Sequence, residues 1–180
     1  MAKKNQTVDE IIDDEDGAAG LDSLMDTNYE NLPEVMETIP TGTWKLRGRN
    51  GAFKDKTEEQ SAKVLLFLVP SEPLSDVDPE ALEAAGAEYD FTNNQIVFTK
   101  YVENLRDVKQ VLQIVKAFGV DLEGLTPREA VKKIRGHDII ASVGTRSYKG
   151  RMGQVTENTV SNFASVEAYE QKQSEGGDEE

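Results

Sequence analysis

Residues 63–70 read KVLLFLVP, apolar at every position between a lysine and a closing proline. The run falls far short of the roughly 20 residues that span a bilayer. Its aliphatic and aromatic side chains, flanked by turn-forming residues, read as a strand over about 62–69. With apolar groups on both faces, that strand needs cover above and below and belongs in the middle of a sheet. Pro70 and Pro73 are expected to end it, since proline donates nothing to a ladder.

A partner strand lies just upstream. Over residues 43–50, Trp44 and Leu46 alternate with Thr43, Lys45, Arg47 and Arg49, which puts an apolar pair on one face and a basic trio on the other. Trp44 is therefore assigned to the core. Asn50-Gly51 opens an expected turn, NGAFKDKTEEQ, between the two strands. An acidic insertion follows over 71–94, with a turn or two of helix in PEALEAAG, and then a third strand over about 95–101. Asn104 suits the N-cap of a helix over 105–118, where Leu105, Val108, Val111, Leu112 and Val115 share one face and Gly119 closes the end. A second helix in TPREAVKKIRG has Thr126 as cap, Pro127 at its first position and Glu129 to complete a capping box. A fourth strand over about 138–146 leads through the turn GTRSYKGRMG, residues 144–153, to a fifth over about 156–166.

The order is β-β-β-α-β-β, with the helices between strands three and four. That is the layout of a five-stranded Greek-key barrel, the oligonucleotide-binding (OB) fold. A generic α+β sandwich fits the same pattern. The expected class is mainly β with helices: an acidic, largely disordered arm over 1–38, a domain over 39–166 and an acidic disordered tail over 167–180.

Charge follows the same division. The formal net charge is −14, made of −9 over residues 1–40, zero over 41–165 and −5 over 166–180. Within the middle segment, residues 72–90 carry seven acids and no lysine or arginine, so the remainder is net basic. Solvated acidic ends around a domain with a positive face are one reading; tails that only keep the chain soluble are the other.

The residue inventory removes most chemistries. There is no cysteine, hence no disulfide or thiolate metal site, in keeping with a reducing cytoplasm. The opening MAKKNQTVDEIIDDEDG has no apolar segment of a secretory signal, so a soluble, cytoplasmic protein is expected. The single histidine, His137, follows the helix-ending Gly136, where an imidazole can cap carbonyls. IIDDEDG starts like a calcium loop but fails at Ile12, and Ser23 stands where the bidentate glutamate belongs. No phosphate-cradling GxxxxGK[ST] run is present. No enzyme activity, metal or cofactor is expected.

What remains is cations interleaved with aromatics, the chemistry of single-stranded nucleic acid: charges along the phosphate path and flat rings for the bases. TWKLRGRNGAFK supplies Lys45, Arg47, Arg49, Phe53 and Lys54; FTKY supplies Lys100 and Tyr101; TRSYKGRMG supplies Arg146, Tyr148, Lys149 and Arg151. In an OB barrel, strands two and three and the loops joining strands 1–2 and 4–5 form the binding surface. Two of the segments map to those loops and the third ends strand three. Phe53 and Tyr148 are assigned to polar turns and to function. Lys132, Lys133 and Arg135 read as a solvated helix end.

Three stretches, IPTGTWKLRGRNGAF, VLQIVKAFGV and IIASVGTRSYKGRMGQVTENTVSNFASVE, carry a resemblance to a group of phage-encoded barrel proteins regarded as single-stranded DNA-binding proteins and encoded near replication or recombination enzymes. The resemblance covers about residues 39–167. It implies DNA contact by the basic residues of strand one and of the 144–153 turn. It also implies an acidic C-terminus that recruits replication or recombination enzymes, although such tails usually end in a hydrophobic residue and this one ends GGDEE. The expected partner is single-stranded DNA, with no membrane. A protein-interaction module whose acidic arms bind basic partners is the competing expectation, and oligomeric state is left open.

Overall fold

The all-apolar strand lies inside the sheet, as the sequence requires, and it is longer than expected. The computed structural model describes Asp26, residues 37–86 and residues 90–175. The expected disordered arm over 1–38 therefore lies almost wholly outside the described residues. β2, Lys63–Pro73, sits between β1, Gly42–Lys54, and β3, Ile96–Tyr101. β4, Asp138–Gly150, pairs with the other side of β1, and β5, Gly153–Ala164, with β4. All four ladders are antiparallel, in the order β3-β2-β1-β4-β5. The helices are α1, Pro79–Ala85, α2, Leu105–Ala117, α3, Pro127–Lys132, and α4, Val166–Glu175.

Pro70 does not end β2. Leu46 pairs with Pro70 and Lys45 with Glu72, so Ser71 is an extra residue at a bulge. The bulge accommodates a proline that has no N–H to offer. The Ser71 hydroxyl donates to the Lys45 carbonyl at 2.9 Å. β3 stops opposite Leu68, so the proline-bearing end of β2 borders no third strand.

Asn50-Gly51 is likewise strand rather than turn. β1 runs on to Lys54, and residues 55–62 make the connection. The cause is α3. A Cβ on Gly48 would stand 2.4 Å from the Ile134 carbonyl oxygen, and one on Gly51 would stand 2.1 Å from that of Val131. Only glycine lets the strand and helix backbones approach so closely. Gly51 reads in the sequence as a turn former, but its role here is close packing.

The core lies on one side of the sheet. Trp44, Leu46, Val64, Leu66, Leu68, Ile139, Ala141 and Val143 meet Val111, Val115, Ala130 and Val131 of α2 and α3. Trp44 is fully buried, as its alternation requires, donates Nε1–H to the Pro40 carbonyl at 2.9 Å and meets Phe91 edge-on. The acidic insertion is anchored to the domain at Asp76 and Val77. Val77 is buried against the core, and the Asp76 carboxylate accepts from the Thr43 N–H at 2.9 Å and hydroxyl at 2.7 Å. The Asn104 cap and the Thr126–Glu129 capping box form as the sequence dictates. His137 does meet a helix-ending carbonyl, but that of Phe118 at the close of α2 rather than of its own helix, at 3.1 Å.

The two sheet edges converge without joining. No ladder links β3 to β5 among the described residues, so the ladders form an open five-stranded antiparallel sheet. Phe98 and Phe163 bridge the gap as an edge-to-face pair with centroids 5.0 Å apart. At the far end, the expected disordered tail begins as a helix. Ser165 caps α4, its Oγ accepting from the Ala168 N–H at 3.2 Å, and no glycine or proline interrupts residues 166–175. Residues 176–180 lie outside the described set.

Candidate functional site

Strand residues two apart share a face, and register carries that face across the sheet. Trp44, Leu46, Val64, Leu66, Ile139 and Ala141 mark the core side. The opposite, outer side can then be read from the pairs. Asn50, Phe67 and Val97 form one row; Ala52, Leu65 and Thr99 the next; Lys54, Lys63 and Tyr101 the third. In the other direction come Val69, Arg47 and Asp138, then Glu72, Lys45 and Ile140. β4 carries the same face outward through Ser142, Gly144, Arg146 and Tyr148, with Glu157 and Val155 opposite the last two.

Lys45, Arg47, Lys54, Tyr101, Arg146 and Tyr148 thus lie on the same side of the sheet, Lys54 and Tyr101 where β1 ends, Lys45 and Arg47 near its start, and Arg146 and Tyr148 on the ribbon that runs past Gly42, with buried Leu65, Val69 and Ile140 among them. Tyr101 is 56% exposed, Tyr148 47% and Val97 44%. Arg49 has no partner directly opposite, because Gly48 pairs with Leu68 and Asn50 with Phe67; it is the extra residue of a second bulge. The remaining residues separate from this group. Phe53 and Lys100 pair with Val64, a core-side position. Lys149 points to the other side of the β4–β5 hairpin, and Arg151 occupies its turn.

Phe53 is in strand β1, not a turn. Its ring packs against the core and lies under the Arg128 guanidinium, 4.3 Å from the centroid. Arg128 is in turn held by Asp55, whose carboxyl stays below its ordinary range because Arg128 donates to it. Lys100 is tied to the start of α2 by Asp107 at 3.5 Å. The Glu103 backbone N–H is the main reason the Asp107 carboxyl is held low, with Lys100 adding to it. A groove of about 400 Å³ opens beside Lys100, between Phe98, Gln110, Ile114, Asn162 and Phe163. It lies on the core side, along the seam between the sheet edges.

Three cations of the outer face already have carboxylate neighbours: Lys45 with Glu72 at 3.8 Å, Arg47 with Asp138 at 3.0 Å, and Arg146 with Glu157 at 2.5 Å. Exposed pairs of this kind contribute about 0–1 kcal/mol each, so exchanging a carboxylate for a phosphate costs little. Arg49, Lys54, Lys149 and Arg151 make no ion pair among the described residues.

Two residues of this face were hidden in the sequence. Phe67 stands in a run apolar at every position, where no alternation distinguishes an outward ring from a core ring. Lys63 gains meaning only through its register with Lys54 and Tyr101.

The hairpin itself differs from the expected loop. Residues 144–150 are strand, and only Arg151 and Met152 form the turn. Positions 145–149 and 151–155 are all exposed, so both sides of this ribbon face solvent. Among the described residues, no helix is long and apolar enough to cross a membrane, and no group of His, Asp or Glu is placed to hold a metal ion. No protein-family model matches the chain, and no curated protein matches it.

Proposed function

We propose that this chain is a non-catalytic single-stranded DNA-binding protein of phage replication or recombination, and that its sheet is a partly open OB-fold barrel. One observation carries the reading. A single sheet face gathers Tyr101, Phe67 and Tyr148 with Lys45, Arg47, Lys54, Lys63 and Arg146, and its cations outnumber Glu72, Asp138 and Glu157. Tyr101 and Phe67 on β3 and β2, and Tyr148 on the ribbon beyond the start of β1, offer separate stacking surfaces along a strand's path, and the cations lie beside them for the phosphates.

The topology supports the barrel assignment. Joining the two edges of β3-β2-β1-β4-β5 yields a closed circuit in which β1 lies between β2 and β4, and α2 lies under the seam. In that fold the outer face of strands two and three, with the neighbouring loops, is the surface that takes oligonucleotides. The resemblance of residues 39–167 to phage single-stranded DNA-binding proteins points the same way. The acidic tail then serves replication or recombination enzymes as a docking element.

The test is a titration of the full chain with a single strand, the matching duplex and the matching RNA, each at several salt concentrations. The single strand should bind more tightly than the duplex. If about 3–5 phosphates are neutralised, log K falls against log salt with a slope of roughly −2 to −3.5. An affinity that does not respond to salt removes the electrostatic part of the reading. Retention of basic proteins with no strand binding favours an interaction module instead.

A further inference from the structure

The tip of the β4–β5 ribbon carries a side chain that folding does not explain. Met152 is fully exposed, at 102% of its reference area, and packs against nothing in the core cluster. Turn chemistry does not select it either. Two-residue hairpin turns favour Asn, Asp or Gly because the tightest types need positive φ. Neither Arg151 nor Met152 has positive φ, and the unusual backbone angle falls on Gly153, at φ +131°. The turn therefore leaves position 152 free, and an apolar side chain stands there fully in water. Burying a Met side chain is worth about 1.5–3 kcal/mol, which a partner covering this tip would gain.

The surroundings say which partner. From Gly144 to Thr156 the ribbon carries Arg146, Lys149 and Arg151 and no acid; Glu157, the next residue, pairs with Arg146 and leaves Lys149 and Arg151 with no ion pair among the described residues. The cations lie on both sides and at the turn, and Arg151 adjoins the methionine. Behind the tip, Tyr148 and Val155 form an exposed cross-strand pair on the outer face. An apolar tip surrounded by positive charge matches a polyanion with an apolar interior, which is a stack of bases between phosphate chains. Proteins that kink nucleic acid use such tips, inserting Phe, Leu, Ile, Met or Pro between neighbouring bases.

We infer that Met152 is a wedge that enters between two stacked bases of the bound strand, with Arg151 and Lys149 holding the flanking phosphates. The inference rests on the single-strand reading and adds to it. The outer face would hold the strand, and the ribbon tip would break its stacking at one step.

The experiment uses the full chain and a single-stranded oligonucleotide with 2-aminopurine between adenines, whose emission is quenched while stacked. A dye at the strand end reports binding by anisotropy in the same samples. Wild type and Met152→Leu should brighten the base on binding. Met152→Ala should still bind, as an exposed residue cannot disturb the core, and should lose the brightening. Equal brightening by Met152→Ala, or a bound wild type with no brightening, overturns the wedge while leaving the single-strand reading intact. A flat anisotropy at low salt removes both together. Binding through Met152 to vesicles of anionic phospholipid, with none to the strand, overturns the wedge in favour of a membrane surface.

Discussion

Replacing Gly51 by alanine tests the contact on which the β1 assignment depends. The new Cβ would lie 2.1 Å from the Val131 carbonyl oxygen and 2.6 Å from its Cγ1. Carbon and oxygen settle at about 3.3–3.6 Å even in close C–H···O contacts, so α3 or β1 must retreat by more than about 1 Å. A rotamer change can relieve the clash with the methyl group, but the carbonyl belongs to the helix backbone. Overpacking costs typically about 1–3 kcal/mol, and a backbone obstacle places this case at the top, about 3 kcal/mol. At 2–4 °C per kcal/mol for a domain of this size, the melting temperature falls by roughly 6–12 °C. Gly119→Ala is the control: nothing lies within 4 Å of its Cβ, and only the left-handed φ of +81° opposes the change. That costs about 1–2 kcal/mol. Thermal and urea melts of the two variants decide the matter. A Gly51→Ala protein that melts with the wild type, or above Gly119→Ala, refutes the packing argument.

Other variants separate the two sides of the sheet. Tyr101→Ala should weaken single-strand binding by about 1–3 kcal/mol with an unchanged melt, as expected for a lost stacking ring. Phe53→Ala should do the reverse, losing about 3 kcal/mol of stability while the strand affinity holds. Acid should destabilise the helix starts. Asp107 is held low chiefly by the Glu103 N–H, and Glu129 chiefly by the Thr126 N–H. Carboxyls with depressed folded values stabilise fully above their ordinary range and lose that contribution as pH falls through the folded value. Stability should stay level down to about pH 5 and decline below about pH 4, and Asp107→Asn should shrink the decline. A melt that is flat to pH 2 contradicts the caps.

The helix boundaries were legible because capping is local. Asn104, and Thr126 with Glu129, act within one turn, so three or four residues of sequence contain the whole interaction. Trp44 was legible for a related reason, since alternation over a few residues states which side is buried. The glycines of β1 were not. Gly51 is explained by Val131, eighty positions later, and Asn50-Gly51 is chemically a good turn until a helix is laid against it. Pro70 misled in the same way, because a bulge is a relation between two strands.

The candidate site was half visible. Composition identified cations and rings near strands one, three and four, but the faces depend on register and on two bulges in β1–β2. Lys100 and Tyr101 are sequence neighbours on opposite sides, and Phe67 joins the outer face from within an all-apolar run. The segment GTRSYKGRMG, expected as a turn, also takes another form. The cations are carried on a two-stranded ribbon rather than scattered on a loop, and that ribbon presents Arg146 with Tyr148 on one side and Lys149 on the other.

The central claim is that bases rest on the outer face of the sheet. Photocrosslinking to single-stranded DNA containing 5-iododeoxyuridine, followed by peptide mapping, reads this directly because the adduct forms with the ring that touches the base. Adducts should fall on Tyr101, Tyr148 or Phe67, which register places on one face. Adducts confined to Phe53, Phe98 or Phe163, the rings of the core side and the seam, would contradict the account.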